Sequence, residues 1–319
     1  KEFAERLGKV CGYPDYSLFL CNSGAEANEN AMKLASFHTG RKKILAVKKA
    51  FHGRTSGAVE ATDNPNIQAP FNCNGNIKFI ELNNIAELQR ELETKEYAAF
   101  IIEGIQGVAG IYVPNNEFIA AARELCTQTG TLLILDEIQS GYGRSGKFYA
   151  HQHVTYNGEP LKADIVSMAK GIANGFPMGA IIISPQIKPV YGMLGTTFGG
   201  NHLACAAALS TLKVLVKEKL TENAGIIGKY LKDELNKAAE AYIKENGKSP
   251  FKEIRGIGLM IGIEMEPEHQ GLRNQLLFNE NIFTGGAGKN VIRLLPPLCI
   301  SKEEVDIFIA ALKRCLKLG

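Results

Sequence analysis

Asp136 and Lys170 each close a short apolar run, Leu132-Leu-Ile-Leu-Asp136 and Ile165-Val-Ser-Met-Ala-Lys170. A carboxylate at the end of a buried strand needs a partner. It can cap a helix or a surface turn, or it can keep a heterocyclic nitrogen protonated. A lysine so placed is either a solvated terminus or, partly desolvated in a cleft, a nucleophile toward aldehydes. The interval between the two has room for one helical unit, so they could end neighbouring strands. Asn22-Ser-Gly-Ala-Glu-Ala-Asn28 follows a third such run and opens a helix. Its free backbone N–H groups would make a phosphate cradle, or it is a plain glycine turn with an N-cap. In Phe51-His-Gly-Arg54-Thr55 the aromatic ring could stack on a planar group, and Arg54 could bind a carboxylate bidentately. His52 invites a catalytic reading, but a lysine can carry the protons, which leaves His52 a structural role. His151-x-His153 lacks a nearby third ligand, so no metal is expected.

The elements that must position these residues alternate in type. Tyr16–Leu20, Lys43–Val47, Ile77–Leu82, Ala98–Glu103, Leu132–Leu135, Ile165–Met168 and Met178–Ile183 read as strands. Helices are expected at Ala25–Phe37, Ile85–Glu93 and Glu117–Gln128. Several strands are nearly continuous apolar runs, which suits a mostly parallel, doubly wound α/β sheet covered on both faces. Ligand groups then gather at strand C-termini and helix N-termini. From His202 the pattern shifts to two long helices, Leu203–Lys219 and Ala224–Lys244. β signals follow at Lys252–Glu264 and Asn290–Leu295, around a Gly-rich loop at Thr284–Lys289. A capping box at Ser301-Lys-Glu-Glu304 opens a last helix, Glu303–Leu318. This divides the chain into a large domain, 1–210, and a small α+β domain, 211–319.

The 319 residues are 45% hydrophobic and 22% charged, an ordinary globular balance. A net charge of +3 gives no argument for a nucleic-acid or acidic-membrane partner. No apolar stretch is long enough to span a bilayer. Seven scattered cysteines without a C-x-x-C pair point to a reducing cytoplasm. The chain opens at Lys1, inside a helical pattern, so an upstream segment is expected.

Taken together, the motifs resemble the class III (subgroup II) pyridoxal-phosphate aminotransferases of fold type I, and most of all their acetylornithine branch. The matching pieces run in family order. They are Asn22–Asn28, Phe51–Thr55, Glu103-Gly-Ile-Gln-Gly107, Asp136-Glu-Ile-Gln139-Ser-Gly-Tyr-Gly-Arg144, Lys170-Gly171, Thr196-Thr-Phe-Gly-Gly-Asn201 and Val291-Ile-Arg293-Leu-Leu-Pro-Pro297.

The resemblance implies pyridoxal 5′-phosphate as cofactor, with Lys170 as its Schiff-base lysine and Asp136 as partner of the pyridine nitrogen. It implies phosphate donors from Gly24 and Ala25, stacking by Phe51 and Ile138, and Gln139 near the phenolic oxygen. Arg54 would grip the substrate α-carboxylate, and Glu103 would pair with Arg293 as a substrate gate. Thr196 and Thr197 would reach the site of a second subunit, toward substrate and phosphate respectively, in a homodimer. The implied reaction moves the δ-amine of N-acetylornithine, or its N-succinyl analogue, to 2-oxoglutarate for arginine biosynthesis. Ornithine or 4-aminobutyrate aminotransferase, a pyridoxal-phosphate aminomutase or decarboxylase, and a cofactor-free phosphate-binding domain are the alternatives. The family's Glu-Pro-x-Gln-Gly-Glu-Gly-Gly reads Glu103-Gly-Ile-Gln-Gly-Val108-Ala-Gly110 here, with Val108 in place of the second acid. The resemblance implies a further N-terminal segment, which in the family helps wall the pocket, ahead of Lys1.

Overall fold

The computed structural model describes residues 1–188 and 190–318. Seven strands form the central sheet: β1 (Ser17–Cys21), β2 (Lys43–Val47), β3 (Ile77–Ile80), β4 (Tyr97–Glu103), β5 (Leu132–Asp136), β6 (Ile165–Met168) and β7 (Gly179–Ile183). Their order across the sheet is β1-β7-β6-β5-β4-β2-β3. The five strands from β6 to β3 are parallel, and β7 runs antiparallel to both β6 and β1. Every residue of β4 and β5 is buried, as a sheet covered on both sides requires. Strand alternation sorts them: Phe100, Ile102, Leu133 and Leu135 enter one core, Ala99, Ile101 and Ile134 the other.

Helices supply the outer layers. α1 (Glu2–Cys11), α4 (Ile85–Leu92), α5 (Asn116–Thr129) and α6 (His202–Lys217) cover the first face. α2 (Gly24–Thr39) and the short α3 (Ser56–Glu60) cover the second. α2 begins where Ser23 caps the Glu26 N–H, and it stops at Gly40, whose φ of 69° suits a residue without a side chain. The last helix, α9 (Lys302–Cys315), opens with the expected box between Ser301 and Glu304.

A second unit follows α6. Its sheet has β8 (Phe251–Ile257), β9 (Met260–Met265), β10 (Gly285–Ala287) and β11 (Val291–Leu294) in the order β8-β9-β11-β10, antiparallel throughout. α7 (Leu220–Asn246), α8 (Leu272–Glu280) and α9 pack on it around their own core. Three expectations need correction here. The single β signal over Lys252–Glu264 is two strands, turned at Gly258-Leu259 where Gly258 has φ 58°. The loop expected at Thr284–Lys289 contains β10, which its glycines disguise because they bring no side chains to a pleated surface. The boundary at 210 falls inside α6, and the buried residues of that helix, Ala204, Ala208, Leu212 and Leu215, all belong to the first core.

Candidate active site

Parallel pairing sets three strand ends side by side: Glu103 stands opposite Asp136, and Asp136 opposite Ser167. Asp136 is buried and held from three sides. His52 Nδ1 donates to Oδ2 at 2.8 Å, Asn28 Nδ2 donates to the same oxygen at 2.7 Å, and the Ile138 N–H donates to Oδ1 at 3.0 Å. Ser167 Oγ donates to Asn28 Oδ1 at 2.6 Å, so the chain of bonds continues onto the next strand. Oδ1 keeps unused acceptor capacity, because a carboxylate oxygen can take more than one donor.

Lys170 follows β6 at the mouth of a short 3-10 turn, Lys170–Ala173. Its φ of 46° is a left-handed conformation, uncommon and costly for a residue with a side chain. Lys170 opens onto a cavity of about 430 Å³ whose wall also includes Asp136. The surrounding protein removes enough water to push its ammonium pKa below the ordinary lysine value, against the pull of Asp136 and Glu103.

The same cavity collects Gly24, Ala25, Phe51, Arg54, Ile138 and Gln139. The first two amides of α2, at Gly24 and Ala25, have no acceptor among the described residues, and the sixteen-residue helix directs its positive end at them. Gly53 presses this turn against α2: with φ 140°, a Cβ there would lie 2.6 Å from Ala25 Cβ. Phe51 and Ile138 are half-buried apolar walls.

Glu103 does not form the pair expected with Arg293. Its carboxylate accepts the N–H of Phe51 at 3.0 Å and of Gly107 at 3.0 Å, and burial pushes its pKa up to about 7. Arg293, on β11, instead turns Nη1 toward Gln139 Oε1 at 3.3 Å and the Gly107 carbonyl at 3.5 Å. Backbone amides therefore satisfy the acid before any guanidinium reaches it. Thr196 and Thr197 are exposed and lie outside the cavity wall, although Thr196 Oγ1 accepts from Asn22 Nδ2 at 3.3 Å.

The motifs missed some supporting parts. Asn28 closes the cradle motif, and its link between Asp136, the His52 carbonyl and Ser167 needs the folded sheet to be seen. Arg144, last in its motif, donates to the Leu259 carbonyl at 3.3 Å and to the Pro296 carbonyl, tying the two units together. His151 and His153 do not share a ligand. His151 Nδ1 bonds to Glu137 and His153 Nε2 to Ser145, and no cluster of metal-ligating side chains occurs among the described residues. A larger cavity of about 820 Å³, near Tyr13, Arg123 and Lys162, holds none of the residues above.

An anion cradle, a spare carboxylate lone pair, flat walls and a pKa-lowered lysine in one cavity fit a phosphorylated aromatic aldehyde. The family pattern of Aminotransferase class-III matches residues 1–316. The chain belongs to the class III aminotransferases. It is 38% identical to the acetylornithine aminotransferase of Archaeoglobus fulgidus, across 96% of this chain and 76% of that protein. The acetylornithine aminotransferase of Bacillus subtilis is 39% identical, across 94% and 75%. The ornithine aminotransferase of Toxoplasma gondii superposes with a TM-score of 0.88 at 28% identity, across 99% and 76%. In another crystal of that enzyme, pyridoxal phosphate partly occupies the active site. Class III aminotransferases use this cofactor, and the chain is a pyridoxal-phosphate-dependent transaminase of fold type I. No helix among the described residues is long and apolar enough to cross a membrane.

Proposed function

We propose that this transaminase moves the δ-amino group of an Nα-acylornithine, of the N-acetyl or N-succinyl type, to 2-oxoglutarate for arginine biosynthesis. The observation that carries the reading is one cavity whose wall holds Asp136, the strand-end Lys170 and the open first turn of α2. The acyl-ornithine assignment draws on the relatives, several of which are acetylornithine aminotransferases.

Lys170 Nζ would hold the aldehyde end of the cofactor. Bound pyridoxal phosphate supplies a ring that withdraws electrons from the substrate carbon. Asp136 Oδ1 would keep the ring nitrogen protonated, while His52 and Asn28 fix the carboxylate so that it cannot turn away. The Gly24 and Ala25 amides would bind the phosphate. Phe51 and Ile138 would clamp the ring and keep water from its faces. Lys170, less basic than a free lysine, would take the proton from the substrate carbon at Nζ and deliver it to the cofactor. Arg54 would hold the substrate carboxylate, and Gln139, fixed by Arg293, would sit near the phenolic oxygen.

The working unit in this reading is a cytoplasmic homodimer with shared sites. The loop at 196–201 is flanked by apolar side chains left in solvent: Phe198 is 69% exposed and Leu203 71%. A second copy would cover them and receive Thr196 and Thr197. The seven unpaired cysteines suit a reducing compartment.

The test is spectroscopic. Purified protein with pyridoxal phosphate should absorb in the visible, bleach with N-acetylornithine or N-succinylornithine, and recover with 2-oxoglutarate. Absence of both bleaching reactions would reject the donor class. Mixed dimers of Lys170→Ala and Thr197→Val chains test the sharing: one whole site should return. A mixture no more active than the Thr197→Val dimer at limiting cofactor would place the threonine in its own subunit.

A further inference from the structure

After β4 the chain turns back on itself. The Gln106 N–H donates to the Tyr112 carbonyl at 2.9 Å and the Tyr112 N–H to the Gln106 carbonyl at 3.2 Å, so residues 107–111 form a closed tip. The tip is strained. Ile111 is buried and has φ 61°, a left-handed conformation that a β-branched residue rarely adopts. Such a conformation persists only where the surroundings over-determine it, and here they act from two sides. On the side of the large unit, the Gly107 N–H donates to Glu103 Oε2 at 3.0 Å, and a Cβ on Gly107 would lie 1.8 Å from Gln139 Oε1. On the side of the small unit, three donors take three tip carbonyls: Arg293 Nη1 that of Gly107 at 3.5 Å, the Gly288 N–H that of Val108 at 3.2 Å, and Arg255 Nε that of Gly110 at 2.8 Å.

Arg255, on β8, makes the shortest of these contacts and is buried. Its Nη1 donates to Glu253 at 2.8 Å and to Glu264 at 2.6 Å, and its guanidinium carbon lies 4.1 Å from the centre of the Tyr112 ring. One rigid side chain of the small sheet thus grips both the tip and the residue that closes it. A plain ion pair does not need this arrangement, since a lysine would satisfy the two glutamates. The planar fork that also reaches Gly110 and lies on Tyr112 does need it.

We propose that Arg255 is a positioning residue of the active site: acting through the tip, it holds the Gly107 N–H on Glu103, so that the seating of the small unit governs an acid that shares the cofactor cavity with Lys170. The role is independent of which acyl group the donor carries. The charged and titratable groups around Glu103 are His52 from the turn after β2, Asp136 from β5, Lys170 after β6 and Arg293 from β11. The tip adds only an amide. Burial raises the Glu103 pKa to about 7, and the Gly107 N–H, by favouring the ionised form, keeps it from rising further. Loosening the tip should move it up by about 0.5–1 pH unit, a fraction of what one charge-assisted hydrogen bond contributes.

The experiment compares Arg255→Met with the parent, both cofactor-loaded, by denaturant titration across pH. A folded-state value above the ordinary 4.5 makes stability decline as pH rises through it. The decline that ends near 7 in the parent should therefore extend about 0.5–1 pH unit higher in the variant. Lys252 and Arg255 hold Glu264 below its ordinary value, so the loss of that pairing shows at the acid end, outside this window. In a Glu103→Gln background the substitution should lower stability evenly and shift nothing in the window. The parent-to-variant ratio of kcat should also vary with pH near 7, where a merely structural lesion would lower kcat evenly. A window that Arg255→Met leaves in place, a shift that survives in the Glu103→Gln background, or a kcat ratio constant across pH would overturn the proposal. Should Arg255→Met not fold, Tyr112→Leu loosens the same grip with both ion pairs intact. It should shift the window the same way by less, and no shift there would reject the role.

Discussion

Asp136 and Glu137 are consecutive, both are buried, and each is bonded to a histidine Nδ1, at 2.8 Å and 2.7 Å. Beyond that they diverge. Glu137 is saturated: His151 Nδ1 and the His151 N–H donate to one oxygen, Ser140 Oγ and the Ala150 N–H to the other. The far nitrogen of His151 accepts from Tyr13 O–H at 2.7 Å, and the Tyr13 ring lies in the core. Around Asp136 the network stays open. Among the described residues Oδ1 has a single donor and the far nitrogen of His52 has no partner, and a cavity begins at the carboxylate. A closed network holds a fold together; an open one of the same composition is arranged for something that arrives later. Two adjacent acids thus separate stability from chemistry.

Substitutions should break this contrast unequally. Lys170→Ala, across the cavity from the open network, should abolish turnover while circular dichroism and thermal midpoint stay close to those of the parent. Reductive trapping of the cofactor on any other lysine would refute the assignment. Asp136→Asn should fold and take up cofactor but lose at least ~1.5–3 kcal/mol of transition-state stabilisation, a tenfold or larger fall in kcat. Near-normal turnover in that variant would mean the carboxylate is only structural.

On the closed side, Tyr13→Phe should do the reverse. It leaves the acceptor nitrogen of His151 and the Ala163 N–H without the phenol oxygen, for about 1–3 kcal/mol of stability by denaturant titration. The kcat per folded molecule should not move. The last effect is a slope. Glu103 ionises at about 7 in the folded protein against an ordinary value of 4.5, mainly through burial. Between those two values the unfolded chain has released a proton that the native state keeps, so stability declines as pH rises through the window. Glu103→Gln should flatten that part of the stability–pH curve, and an unchanged curve would assign the slope elsewhere.

The sequence carried more of the large unit than of the small one, for a physical reason. Strands covered on both faces must be largely apolar, so β2, β4, β5 and β6 announce themselves as nearly continuous runs. Ser23 and Glu26 mark the start of α2 because the N–H groups there need acceptors. β10 offers no such signal: Gly285, Gly286 and Ala287 are strand only because β11 pairs with them. α8 buries just Leu272 and Leu276, too little for a readable stripe. In the site, the strand-end placement of Asp136 and Lys170 was legible from local pattern. Whether Glu103 meets Arg293 was not, because it depends on which donor reaches the carboxylate first, and the amides of Phe51 and Gly107 are nearer than β11.

The lateral row of Glu103, Asp136 and Ser167 also has a kinetic meaning. Each pairing joins segments separated by a long connection, one through α5 and the other through a loop that holds only a 3-10 turn and a short hairpin, and such contacts form slowly because long loops must close first. A chain that has closed only one of these connections lacks part of the row. The cofactor can therefore recognise only the finished sheet, and its binding stabilises that state by mass action without hastening its formation. Refolding should proceed at the same rate with or without pyridoxal phosphate, while unfolding slows as the cofactor concentration climbs.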